Sequence, residues 1–194
     1  TSVAGAVSFD STGGINLSSA SAITVTGGTG VTFLTTIDDL SSDDDLTIDA
    51  GGGNANLQGD VGSSVQLASF TIINANQVDV ADLASSGDID ITATDIDLNG
   101  AAYLSSTGNF ITTGQVDPLF AGITTIDTPG GTIQGTDFNL TQSANTLQLN
   151  HDATFTALSL DNGNLVFNGT TTTITDFDLL GNADVTGSGT DVNV

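Results

Sequence analysis

Apolar residues along this chain recur in short alternations from one end to the other. Ile15-Asn16-Leu17, Val31-Thr32-Phe33, Leu46-Thr47-Ile48, Val78-Asp79-Val80, Ile89-Asp90-Ile91 and Ile96-Asp97-Leu98 each read inward, outward, inward. The second half continues with Ile123 to Ile126, Phe138-Asn139-Leu140, Leu147-Gln148-Leu149, Phe155 to Leu160, Leu165-Val166-Phe167 and Phe177-Asp178-Leu179. Each stretch is three to six residues long, and Gly, Asn, Asp or Ser separates it from the next. Strands this short and this closely spaced do not fit a sandwich. They fit the sides of a solenoid coil.

A local repeat sets the size of that coil. Leu83-Ala84-Ser85-Ser86-Gly87-Asp88 is echoed by Leu104-Ser105-Ser106-Thr107-Gly108-Asn109, which places Gly87 and Gly108 21 residues apart. Leu17-Ser18-Ser19 and Leu40-Ser41-Ser42 carry a weaker version at a spacing of 23. The expectation is a single domain over 1–194, an all-β solenoid of about nine coils. Coils stacked about 4.8 Å apart make a rod on the order of 40 Å long, its strands pairing in parallel from coil to coil. Gly13-Gly14, Gly27-Gly28, Gly51-Gly52-Gly53 and Gly130-Gly131 mark corners or protrusions. Pro118 and Pro129 fall in turn-like contexts, which keeps proline out of the ladders.

Composition narrows the class further. Lys, Arg, Glu and Met, all good helix formers, are absent, and all 23 acidic residues are Asp. Thr, Val, Ile, Ser, Asn and Gly dominate and favour strands and turns, so helical and α/β folds are excluded. The net charge is -23, with no cationic side chain to neutralise a phosphate, which excludes nucleic acid as a partner. An anionic membrane surface repels such a chain, and no apolar run spans a bilayer, so membrane insertion is not expected. No segment reads as a signal peptide. The absence of Cys excludes a disulfide framework, and the absence of Lys and Arg leaves trypsin-type proteases no site, which suits a protein outside the cell.

The texture of Leu83 to Gly114, LASSGDIDITATDIDLNGAAYLSSTGNFITTG, resembles the repeat regions of bacterial filamentous-haemagglutinin-type adhesins. The resemblance implies a right-handed parallel β-helix, secretion to the cell surface, and adhesion or fibre formation. The complete lack of basic residues departs from that family and leaves open an adhesin shaft or a subunit of an assembled filament.

The candidate chemistry lies in aspartates. Asp38, Asp39, Asp43, Asp44 and Asp45 fall within eight residues, and hard oxygen ligands of this kind suit Ca²⁺. Asp43, Asp44 and Asp45 are the candidate metal ligands, and Ca²⁺ is the one cofactor expected. The bland reading is a solvated acidic face. Asp88, Asp90, Asp95 and Asp97 alternate with apolar residues and are expected to point outward and stack into an acidic ladder. The tail Thr186 to Asp191 resembles half of a Ca²⁺-binding nonapeptide repeat. Irregular T-x-T units such as Thr92-Ala93-Thr94 reflect strand propensity better than an ice-binding array.

His151, between Asn150 and Asp152, is the single imidazole, and no nucleophile elbow accompanies it, so no catalytic residue is assigned. The functional expectation is an extracellular structural or adhesive protein. It acts by self-association into a fibre or by contact with a host-surface or carbohydrate ligand. A secreted carbohydrate-active β-helix enzyme and a Ca²⁺-dependent binding module are the alternatives.

Overall fold

The computed structural model describes residues 2–26, 28–41, 43–141, 145–187 and 191–193, with side chains at 2–4, 25–26 and 191–193 left out. Among the described residues there is no helix, and all pairing between strands is parallel. The chain winds as a β-solenoid of about nine turns. One long sheet takes a strand from every coil, from Ser2–Ala4 through Ser69–Val80, Ile89–Leu98, Phe110–Pro118, Ile133–Leu140, Ala153–Asp161 and Thr171–Leu180 to Asp191–Asn193. A second sheet stacks Leu83–Ser85, Ala102–Ser105, Ile123–Asp127, Thr146–Leu149, Asn164–Phe167 and Asp184–Gly187.

Early coils divide the work of the long sheet between two strands. Asp45–Asp49 pairs with the first half of Ser69–Val80 and Ala55–Leu57 with its second half. Later coils fuse these halves into one strand bent at a register shift, as between Thr92 and Asp95. The offsets fix the coil length. Phe70 lies against Ile89, Ile89 against Phe110, Phe110 against Ile133 and Ile133 against Ala153, giving 19 to 23 residues per coil in this part of the rod, against 22 to 25 in the early coils.

Inward side chains form columns along the axis. Leu83, Tyr103, Ile126, Leu149 and Phe167 stack in the second sheet, and Val78, Ile96, Val116, Phe138 and Leu158 in the long one. All of these are buried in one continuous apolar core. Burial of such side chains stabilises by about 1.5–3 kcal/mol each before chain entropy is counted.

The alternation expected from the sequence holds at most stretches and slips at three. Leu83 pairs with Tyr103 rather than with Leu104, because the ladder offset here is one residue shorter than the 21 that separate Gly87 from Gly108. Tyr103 therefore takes the core position, its hydroxyl donating to the Val80 carbonyl and accepting from the Gly100 amide at 2.9 Å each. At Ile123–Asp127, the inward place of Ile126 forces Thr124 inward and leaves Ile123 54% exposed. Pro118 ends a ladder strand opposite Leu98, against the expectation that proline avoids the ladders. The ladder tolerates it because Leu119 N–H, not residue 118, donates to the Leu98 carbonyl.

The expected glycine corner at Gly51-Gly52-Gly53 shows why glycine is needed. A Cβ at Gly53 would meet the Gly30 nitrogen of the coil below at 2.2 Å. Gly52 adopts φ 86°, a left-handed conformation that side chains disfavour. Gly27 lies outside the described residues.

Candidate functional site

Aspartate does two different jobs on this solenoid. The first is corner stapling, in which a short carboxylate accepts amide protons from the next coil. Asp82 Oδ1 accepts from Ala101 and Ala102 N–H at 2.6 and 3.0 Å. Asp88 Oδ1 accepts from Asn109 N–H at 2.8 Å, and Asp38 Oδ1 from Ser64 N–H at 2.8 Å. Asp152 Oδ1 takes Thr170 and Thr171 N–H at 2.7 and 2.9 Å, together with the Thr170 hydroxyl. Those donors hold the Asp152 carboxyl below its usual range. A one-methylene side chain reaches a turn amide that a longer one overshoots, which accounts for Asp at these corners.

The second job is charge concentration, and it occurs in two places. On the outer face of the long sheet, Asn56, Asp79, Asp97 and Asp117 align in one column. Gln77, Asp95, Gln115 and Asp137 align in the next. Carboxyl oxygens of Asp95, Asp97 and Asp117 lie within 4.8 Å of one another. Amides are interleaved as donors: Gln77 Nε2 to Asp97 Oδ2 at 2.8 Å and Gln115 Nε2 to Asp117 Oδ2 at 2.9 Å. Burial and neighbouring carboxylates push Asp79, Asp95 and Asp117 upward. Of the four aspartates expected in a ladder, Asp97 stacks between Asp79 and Asp117, while Asp95 stacks between Gln77 and Gln115. Asp90 instead faces Thr71 and Ile111, and Asp88 is spent on its corner.

The other concentration is at the corner that follows Ile37–Asp39. Oxygens of Asp39, Asp43 and Asp44 lie within 4.8 Å of one another. Asp39 and Asp44 occupy inward positions, 1% and 7% exposed, while Asp43 sits at the mouth. Asp39 spans the corner, its Oδ1 accepting from Ser41 N–H at 3.1 Å and its Oδ2 from Asp44 N–H at 2.8 Å. Asp43 Oδ1 accepts from the Ser41 hydroxyl. Burial opposes ionisation of Asp39, but the amides of Asp44, Ser41 and Leu40 outweigh it and hold the carboxyl low. Asp44 is pushed up by burial first, then by the charge of Asp39. Its Oδ2 is buried with no hydrogen-bond partner among the described residues. Of the three residues singled out in the sequence, Asp43 and Asp44 join this group. Asp45 is exposed and accepts from the Ser69 hydroxyl at 2.6 Å, and Asp39 takes its place.

Asp39 belongs to the acidic run visible in the sequence, but nothing in that run sets it apart from Asp38 as a ligand. The signal was its spacing from Ile37, two residues along a strand, which puts it on the inner face.

His151 Nε2 lies 2.8 Å from Asp127 Oδ1, with both side chains about one-third exposed at 34% and 36%. The neighbouring Asp152 is committed to Thr170 and Thr171. A shallow depression of about 370 Å³ on the long sheet is lined by Thr112, Thr113, Thr132, Gln134, Thr136 and Thr154. In the glycine-rich tail, 188–190 lie outside the described residues. The chain matches no protein-family model, and neither curated proteins nor solved structures show significant similarity to it.

Proposed function

We propose that this chain is an extracellular structural or adhesive β-solenoid, a stretch of a bacterial cell-surface fibre. The observation that carries the reading is the unbroken parallel pairing of ten strands along one sheet, from Ser2–Ala4 to Asp191–Asn193. Backbone hydrogen bonds in such a sheet run along the rod, so axial load falls on the whole ladder rather than on side chains.

Both end coils accept a further coil, from the same polypeptide or from a second copy. At one end an apolar hollow of about 430 Å³ is lined by Phe9, Ile15, Leu17, Ile23, Phe33 and Ile37. At the other, Leu179 and Leu180 are 55% and 53% exposed. Covering these surfaces favours end-to-end self-association. The threonine-lined depression and the hydroxyl-rich outer faces offer donors and acceptors suited to a carbohydrate or host-surface ligand. The absence of Lys and Arg fits exposure to extracellular proteases.

Electron microscopy with light scattering on the purified chain tests the reading. Rods that lengthen with concentration, and stay short when Leu179 and Leu180 are both replaced by Asp, are the expected result. A strictly monomeric protein that cleaves a polysaccharide from a panel, and loses that activity in Asp127→Asn, would overturn it in favour of a carbohydrate-active enzyme.

A further inference from the structure

We propose that the corner formed by Asp39, Asp43 and Asp44 is a Ca²⁺ site that locks two adjacent segments of one coil together. This inference stands independently of the fibre reading.

Three carboxylates converge within 4.8 Å, and two of them, Asp39 and Asp44, are turned into the solenoid at 1% and 7% exposure. The coil below places Leu17, an apolar residue, at the position of Asp39. Buried carboxylates need a counter-charge or a full set of donors. Asp39 has donors, the Ser41 and Asp44 amides. Among the described residues Asp44 has none for Oδ2, which is buried.

No side chain of this protein can supply the missing positive charge. It has no Lys or Arg, and its single His is placed against Asp127. The neutralising partner must therefore come from solvent, as a metal ion or as a proton.

The donor set selects the metal. The three converging ligands are carboxylate oxygens, which suit a hard cation and not a thiophilic or imidazole-seeking one. Each Asp39 oxygen has a second lone pair beyond the amide it already accepts. Asp43 is exposed, so it provides both a third ligand and the route of entry. Ca²⁺ takes six to eight oxygens in flexible geometry, and water completes the shell at the open side. Mg²⁺ demands a tighter octahedron and keeps its waters, so it fits this irregular trio less well.

The bound ion would tie the end of Ile37–Asp39 to the start of Asp45–Asp49 across the corner. The orphaned oxygen and the counter-charge would be supplied in one step.

Calorimetry on the full chain decides the matter. The protein is stripped with chelator at pH 7.5, and its Tm is compared in CaCl₂, MgCl₂ and NaCl at equal ionic strength. At a hundredfold excess over Kd, CaCl₂ is expected to raise Tm by about 5–10 °C, with a smaller effect of MgCl₂ and little of NaCl. Asp44→Asn is expected to abolish the CaCl₂ response and to melt no lower than wild type in chelator. Asp43→Asn, an exposed change that leaves the fold alone, is expected to weaken Kd about tenfold or more. Asp95→Asn, in the other acidic group, is expected to leave the response intact. An unchanged wild-type Tm in CaCl₂ would mean that Asp39 and Asp44 share a proton instead, and it overturns the proposal. Equal shifts in MgCl₂, a full response in Asp44→Asn, or a response lost in Asp95→Asn overturn it as well.

Discussion

Gly135→Ala probes the packing logic of the core most sharply. Along one inward column the residues are Ile72, Ile91, Thr112, Gly135, Phe155 and Ile174, paired coil to coil. The glycine leaves a gap in that column, and two rings fill it. An added Cβ would meet Phe138 Cε2 at 2.3 Å and Phe155 Cδ1 at 2.9 Å. Neither ring has room to retreat, since both are 0% exposed and their centroids are 4.8 Å apart. Gly135 has no left-handed backbone, so the penalty of substitution is steric alone.

Overpacking of this kind costs about 1–3 kcal/mol. Lower unfolded-state entropy of Ala returns about 0.4–1 kcal/mol. The net expectation is about 1–2 kcal/mol, or a Tm lower by about 2–8 °C at this chain length. Circular dichroism melts of the four proteins in a cycle with Phe138→Leu provide the assay. The smaller residue opens the space, so the double variant is expected to recover about 1 kcal/mol relative to additivity. Gly135→Ala melting with wild type, or a cycle additive within about 0.3 kcal/mol, would refute the claim that these rings dictate the glycine.

Tyr103→Phe removes a buried hydroxyl and leaves the Val80 carbonyl and Gly100 amide without their shared partner, so a loss of about 1–3 kcal/mol is expected in a denaturant titration. Asp152→Ala frees the Thr170 and Thr171 amides at their corner and is expected to cost about 1 kcal/mol, whereas Asp152→Asn retains an acceptor and costs less. Stability should also pass through a maximum with pH. Asp79, Asp90, Asp95 and Asp117 are raised above the ordinary 3.8, so the fold takes up protons before the unfolded chain does, and Tm rises as pH falls from 7 toward about 4. Asp152 is lowered, so its contribution is lost as pH drops below 3.8 and Tm falls again. Melts from pH 7 to 2.5 at fixed ionic strength check this, and a monotonic fall from neutrality would count against it.

The solenoid was legible in the sequence because a strand's period of two is imposed by backbone geometry and is visible residue by residue. Val78-Asp79-Val80 and Leu165-Val166-Phe167 face where that period puts them. Coil length was legible for the same reason, since a column of like residues needs a nearly constant repeat. What escaped the reading depends on the coil above or below. The repeat that aligns Leu83 with Leu104 is a sequence likeness, but the ladder is read by hydrogen bonds, and these seat Tyr103 instead.

The burial of the acidic corner escaped for a deeper reason. A carboxylate on a strand is read as outward, because burial of an unpaired charge is costly. Ile37-Asp38-Asp39 obeys the alternation all the same, and the alternation turns Asp39 inward with Ile37. Two rules collide at this position, and the backbone rule wins because slipping the register by one residue would expel Ile37 and only turn Asp38 inward in place of Asp39. A charge tolerated inside on those terms needs something to neutralise it, and a chain without Lys or Arg must take that from solvent. The place where local pattern and burial disagree is therefore the place where this otherwise repetitive rod is chemically distinct.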